Sequence, residues 1–376
     1  MKKKLNIPLI QTKLENLGLS QSKISKELSV SREAISQWLS GECFPRPDKL
    51  LKLGRVLSLK YSELVIQDEL NEPIVAYRKV GNAVTKDRHI TRAKEMGYAL
   101  EHLVPYLPYE TMTRPAALNQ PKNEYKYIQE AVKAFREILD IQKIKVEVPE
   151  IINYFLFSKT ILIPLLLGEK ENHENALHIH LVKSATNWVF VNLDTNELDF
   201  KFWLVHELGH IIAPQLKNNE AEDFADNFAG AFLFPYEIAS QVYKEAAEAK
   251  NPNKKYNVIL DYARNFTIAA YTIIKEINKY AEESGLPEIE FDKTFYAINT
   301  KFAKNYPLVS STIFNNKKPS AEEFIRITKK EYKTVFFDTL QKYVNNSSVS
   351  YSYLRSLLNL PVADSIELFN LLKNAV

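Results

Sequence analysis

Between residues 5 and 66 the hydrophobic positions repeat at helical intervals and are punctuated by capping residues. Leu9, Ile10, Leu14 and Leu17 mark one helix, which Gly18 closes. Ser20 caps a second, Gln21 to Leu28, with Ile24 and Leu28 turned inward. After a short turn at Ser29-Val30, Ser31 caps a third whose inward residues are Ile35, Trp38 and Leu39, and Gly41 stops it. Beyond Pro45 and Pro47, the run Leu50, Leu51, Leu53, Val56 and Leu57 predicts a further helix. Serine at a helix start and glycine just past its end are the expected start and stop signals.

The pattern changes at Asn71-Glu72-Pro73. Residues 74–140 read as helical, most clearly the amphipathic stretch Tyr127 to Leu139. Four short β-like runs follow within 145–200: Lys145 to Val148, Thr160 to Leu167, Ala176 to Val182 and Trp188 to Leu193. Polar segments such as Glu169 to Asn175 separate them, as turns separate strands. Helical periodicity returns from Asp199, Asn251 to Lys255 reads as a linker or loop, and the Tyr/Phe-rich tail 290–376 reads as helical. The prediction is a mainly α chain with a small β-sheet, an α+β class. It divides into a helical bundle at 1–70, a helical connector at 71–124, a mixed domain at 125–250 and a helical C-terminal region at 251–376.

Length and composition narrow the classes. The 376 residues suffice for about two or three domains. With nine glycines the chain has few means of building Gly-rich phosphate loops. A single cysteine, Cys43, excludes an intramolecular disulfide framework and a cysteine zinc cluster. The longest apolar run, Ile161 to Leu167, is far short of the ~18 residues of a membrane span. Polar residues interrupt the opening Met1-Lys2-Lys3-Lys4 segment, which predicts no export signal and a cytoplasmic protein. The net charge of +3 hides an asymmetry: residues 1–60 hold twelve Lys/Arg against five Asp/Glu, so they carry +7 and the remainder −4. A basic N-terminal unit points to a polyanion partner.

Ser20 to Gly41 has the grammar of two short helices meeting at a tight turn, held by Ile24, Leu28, Val30, Ile35 and Leu39. The second helix presents Arg32, Glu33, Ser36 and Gln37 outward. Arg and Gln can read guanine and adenine edges in the major groove. Gln21 and Ser31 stand at helix N-termini, where phosphates are commonly met. The segment resembles the XRE family of Cro/CI-type repressor domains over about sixty residues. That resemblance implies binding to double-stranded operator DNA, and two half-sites imply a homodimer.

A second constellation is Phe202-Trp-Leu-Val-His206-Glu207-Leu-Gly-His210-Ile-Ile. Histidines four apart share a helix face and can hold one Zn²⁺, while the intervening Glu207 can accept a proton from a zinc-held water. Zinc lowers the pKa of such a water to about 7. A catalytic zinc needs a third protein ligand. Glu222 is the candidate, with Asp226 four residues on placed to hydrogen-bond a ligating histidine; Glu220 competes but is followed at that spacing by Phe224. The histidines of His178-x-His180 share one strand face, and exposed polar strand positions explain them better than a second metal. These two and Tyr236 are candidates, by position, for a transition-state donor.

From Trp188-Val-Phe-Val-Asn-Leu, through His206-Glu-Leu-Gly-His210, to Phe228-Ala-Gly-Ala-Phe-Leu-Phe-Pro235, the chain resembles the ImmA/IrrE family of zinc metallopeptidases, over roughly 125–240. The resemblance implies a zincin-like domain, endopeptidase activity against a repressor-type protein, His206, His210 and Glu222 as zinc ligands, Glu207 as general base and Asp226 behind the ligands. The family commonly has Leu-Leu-Met-Pro where this chain has Phe232-Leu-Phe-Pro235, and Asn where it has Asp226. By likeness to other zinc peptidases, the strand Trp188 to Leu193 is expected either to receive an extended substrate at its edge or to be an ordinary core strand.

Taken together, the sequence predicts a DNA-binding transcriptional regulator carrying a zinc endopeptidase that cleaves a regulatory protein. The alternative is a transcription factor or antitoxin-like repressor whose peptidase fold only senses or binds protein. The intact Glu207 favours the first, since a pure binding module has no need of a general base.

Overall fold

The computed structural model describes residues 4–66, 72–75, 87–111, 117–141, 143–167 and 176–374. The chain forms two compact units, 1–72 and 73–376. The expected polar segment Glu169 to Asn175 lies outside the described residues.

In the first unit, helices α1 (Ile7–Asn16), α2 (Gln21–Leu28), α3 (Arg32–Ser40), α4 (Pro47–Leu57) and the short α5 (Tyr61–Leu64) surround one core. Strands β1 (Lys4–Leu5) and β2 (Val65–Ile66) pair antiparallel and tie its two ends together. The capping signals act as read: Ser20 Oγ accepts from Lys23 N at 3.3 Å and Ser31 Oγ accepts from Ala34 N at 3.0 Å. Gly18 and Gly41 stop α1 and α3 with φ of +61° and +79°, a region that costs glycine little. Ile10, Leu14, Ile24, Leu28, Ile35 and Trp38 are buried. Leu17 and Leu51, grouped by periodicity with the inward residues, are exposed.

The second unit begins with β3 (Ile74–Val75), within the stretch that reads as helical, and continues through α6 (Asp87–Glu101), α7 (Tyr125–Ile138) and α8 (Val148–Phe157). Then come β4 (Ile161–Leu165), β5 (Ala176–Leu181) and β6 (Thr186–Asn192). The helices α9 (Glu197–Ile212), α10 (Asn218–Leu233), α11 (Tyr236–Ala247), α12 (Pro252–Phe266) and α13 (Ala270–Glu283) follow. The chain finishes with α14 (Lys293–Ala303), α15 (Val309–Ile313), α16 (Ala321–Tyr332), α17 (Phe336–Asn346), α18 (Tyr351–Leu358) and α19 (Val362–Asn374).

The structure corrects two expectations and decides between two alternatives for β6. Lys145 to Val148 is not a strand but the entry to α8, where Glu147 N donates to Glu150 Oε2 at 2.7 Å. Asn251 to Lys255 is not a linker: Asn251 caps α12 and Pro252 takes its first position, where a missing N–H costs nothing. Strand β6 cannot take up a substrate at its edge, because the sheet order β3-β5-β6-β4 fills both its sides. It pairs parallel with β4, from Ile161↔Trp188 to Leu165↔Asn192, and antiparallel with β5. It is a core strand.

Side chains alternate across a strand, and β6 feeds two cores. Val189 and Val191 join the cluster that contains α9 and α10, whereas Trp188 and Phe190 join one made with α6 and α17 to α19. The sheet thus carries α9 on one face and the C-terminal helices on the other. No helix among the described residues is long and apolar enough to cross a membrane.

Candidate metal centre and nucleic-acid interface

Helix α9 is apolar nearly all round, which is the signature of a buried helix. Leu204, Val205, Leu208, Ile211 and Ile212 are at most 2 % exposed. His206, Glu207 and His210 are therefore carried into the interior, and each is buried. Helix α10 crosses beside α9 at Gly209: a Cβ there would lie 2.7 Å from Ala225 Cα. This contact brings Glu222, three residues before Ala225, onto the two histidines.

His206 Nε2 and His210 Nε2 stand 3.1 Å apart. Glu222 Oε2 is 3.5 Å from the first and Glu222 Oε1 is 3.5 Å from the second. Tetrahedral ligation with bonds of about 2.0–2.2 Å sets ligand atoms about 3.3–3.6 Å apart. The donor set, two imidazoles and one carboxylate, and its spacing both fit zinc. Among the described residues this is the group of three potential ligands whose atoms converge, all within 4.8 Å of one another. Glu220 is exposed on the same helix and takes no part in that group.

Asp226, one turn beyond Glu222, accepts from His206 Nδ1 at 3.0 Å and lies 3.9 Å from Lys275 Nζ. With Nδ1 so engaged, Nε2 faces the shared point. Burial acts to lower the His206 pKa, but its bonds to Asp226 and Glu222 and the charge of Glu207 more than reverse this, to about 9. Burial, with the charges of His206 and His178, pushes His210 well below its ordinary range.

The strand histidines are not exposed polar positions. His178 is buried, its ring stacked 6.4 Å from that of His210, and Asn187 Oδ1 accepts from His178 Nε2 and His180 Nδ1, each at 2.9 Å. Burial lowers the His178 pKa to about 4. Nothing in the spacing His-x-His announced that Asn187, on the neighbouring strand, bridges the two. Tyr236 is 43 % exposed and packs edge-on against Tyr280.

In the first unit, Ser31, Arg32, Glu33 and Ser36 are exposed along the start of α3, while Gln21 and Gln37 are half-buried. Lys49 escaped the sequence reading: its Nζ donates to Leu28 O at 2.9 Å and Ser29 O at 3.3 Å, closing the end of α2 where the helix dipole favours a cation.

A family model of the helix-turn-helix matches residues 10–64, and one of the IrrE N-terminal-like domain, a peptidase family, matches residues 163–274. The chain joins a helix-turn-helix domain to an IrrE-like domain. No curated protein and no solved structure gives a significant match. The IrrE-like match starts within β4 and ends within α13, so it takes in His206, Glu207, His210, Glu222 and Asp226. The helix-turn-helix match covers α2 and α3, which makes the first unit that of a DNA-binding regulator.

Proposed function

We propose that the chain is an operator-binding transcriptional regulator whose second unit is a zinc-dependent endopeptidase acting on a repressor-type protein in the cytoplasm. The observation that carries the reading is the convergence of His206, His210 and Glu222 at zinc-ligand spacing beside the buried Glu207. Zinc held there would supply a Lewis acid at neutral pH. Asp226 fixes the His206 ring by accepting its Nδ1–H. Glu207 takes the proton of the attacking water and returns it to the leaving amine. The apolar flanks of α9 keep bulk water from the reacting atoms. In the first unit, Arg32, Glu33, Ser36 and Gln37 read base edges, Gln21 and Ser31 meet phosphates, and a homodimer spans two half-sites.

The test is incubation of zinc-loaded wild type and Glu207→Gln with proteins encoded by neighbouring genes. Gln keeps the shape of Glu but cannot accept the proton. Cleavage should fall by about 10²–10⁴, while zinc content and operator binding stay at the wild-type level. Equal cleavage by both proteins refutes the endopeptidase reading. Absence of cleavage by both, with promoter control intact, leaves a regulator whose peptidase fold only binds.

A further inference from the structure

The turn that enters α9 is gripped by a segment more than a hundred residues away. Ser310 N donates to Leu193 O at 2.7 Å, Val309 N donates to Thr195 O at 3.0 Å, and Glu197 N donates to Pro307 O at 3.1 Å. Side chains extend the grip: Ser310 Oγ donates to Asp194 Oδ1 at 2.6 Å, and Thr312 Oγ1 donates to Glu197 Oε1 at 2.5 Å. Asn196 Nδ2 reaches Tyr306 O at 2.9 Å and Ala303 O at 3.2 Å. This clamp holds the first turn of the helix that carries His206, Glu207 and His210.

Against the clamp lies a cavity of about 520 Å³, within the ~300–1,000 Å³ of small-molecule sites. Asp194, Leu308 and Ser310 line it from the clamp. Leu165, Phe314, Phe324, Phe337, Leu358 and Leu368 supply apolar walls from the end of β4 and from the C-terminal helices. Its charged groups are three carboxylates, Asp194, Asp364 and Glu367, against Lys317 and Lys318, and Lys318 is already paired with Asp364 at 3.0 Å. The walls favour an apolar body. Asp194 already accepts from Ser310 Oγ and Glu367 from Ala321 N, but three carboxylates against two lysines leave the lining net negative, which favours a head that donates hydrogen bonds and disfavours phosphates and carboxylic acids.

We propose that this cavity is an effector site for a small apolar molecule with a hydrogen-bond-donating head, an amine or an alcohol, and that occupancy tightens the clamp on α9. The regulatory consequence rests on the endopeptidase reading; the binding does not. Coupling needs two distinct sites and two states that each ligand contacts differently; the clamp, loose or tightened, is the element the two sites share.

The test uses the zinc-loaded full chain and N-phenyl-1-naphthylamine, an apolar secondary amine that fluoresces when buried. Leu360→Trp and Ser311→Leu each add bulk at a residue that lines the cavity. Wild type should bind the probe saturably, and either folded variant should bind at least tenfold more weakly with unchanged zinc content. In the wild-type complex the amides of Glu197, Val309 and Ser310 should exchange hydrogen at least threefold more slowly. No saturable binding by wild type, or wild-type affinity in either folded variant, overturns the site. Binding without slower exchange at those amides overturns the coupling. Neither readout needs peptide cleavage, so a failed endopeptidase reading leaves this test legible.

Discussion

Gly209 sets how closely the two ligand-bearing helices approach. A methyl group there meets Ala225 Cα at 2.7 Å, a backbone atom that cannot swing away. Gly209→Ala should push α10 from α9 and carry Glu222 off the histidines. Overpacking of this kind costs about 1–3 kcal/mol. The expected outcome is a folded protein whose zinc affinity is lower by tenfold or more, read by competition with a chromogenic chelator; wild-type affinity would mean the helices need not touch. Lys201, on the same helix, has its ammonium buried, donating to Val146 O at 3.0 Å and to Phe266 O, with Glu147 Oε2 at 3.6 Å. Burial lowers its pKa to about 8 from 10.5. The fold therefore bears the penalty of the charge in full below about pH 8, and the penalty is relieved as pH rises toward 10.5, where the unfolded chain still holds the proton. Lys201→Met has no such titration. Between pH 8 and 10 wild type should gain stability relative to Lys201→Met, on the order of 1–3 kcal/mol, in urea melts taken across that range.

At the scale of elements, α3 is a short helix with an exposed polar start and a buried Ile35-Trp38 seam, so its surface can change without unfolding it. Arg32→Ala in a fragment of residues 1–72 should relax operator preference by about 1–3 kcal/mol if Arg32 makes a bidentate base contact. Binding of every sequence should weaken steeply with salt. Electrophoretic shifts at several salt concentrations measure both, and a fragment that ignores duplex DNA at low salt would refute the interface. Much of this was legible in the sequence because each signal is local: Ser20 and Ser31 cap, Gly18 and Gly41 stop, and His206 and His210 share one helix face at four-residue spacing. What the sequence did not disclose depends on partners distant along the chain. Val146 and Val148 alternate with polar residues and suit a strand, yet Lys145 to Val148 leads into the helix α8. Strand β3 exists by pairing Ile74 with His180 and Val75 with Ile179, and no two-residue strand announces itself. Three bonds of the clamp on α9 join backbone to backbone and leave no mark on residue type, and its side-chain bonds, from Ser310, Thr312 and Asn196, reach partners more than a hundred residues away.

For the molecule as a whole, two compact units with separate cores should melt separately. Zinc bound only to the folded second unit stabilises it by about 4 kcal/mol at a thousandfold excess over Kd. Calorimetry with and without a chelator should show one transition moving down and the other, that of the first unit, unmoved; a shift in both would mean that the units unfold together. The sheet has one further consequence, which concerns time. Trp188 and Phe190 belong to the core on the face away from α9, much of which, among the described residues, is supplied by helices that begin at Phe336, about 140 residues after β6 ends. At roughly 5–20 residues per second, a ribosome needs on the order of ten seconds to make that stretch. Throughout that interval the nascent chain already contains the HExxH helix, but its sheet lacks the C-terminal half of its cover. The metal-binding half is thus synthesised early and secured late, and a chain released before α17 to α19 would leave the ribosome with an apolar sheet face open to whatever meets it first.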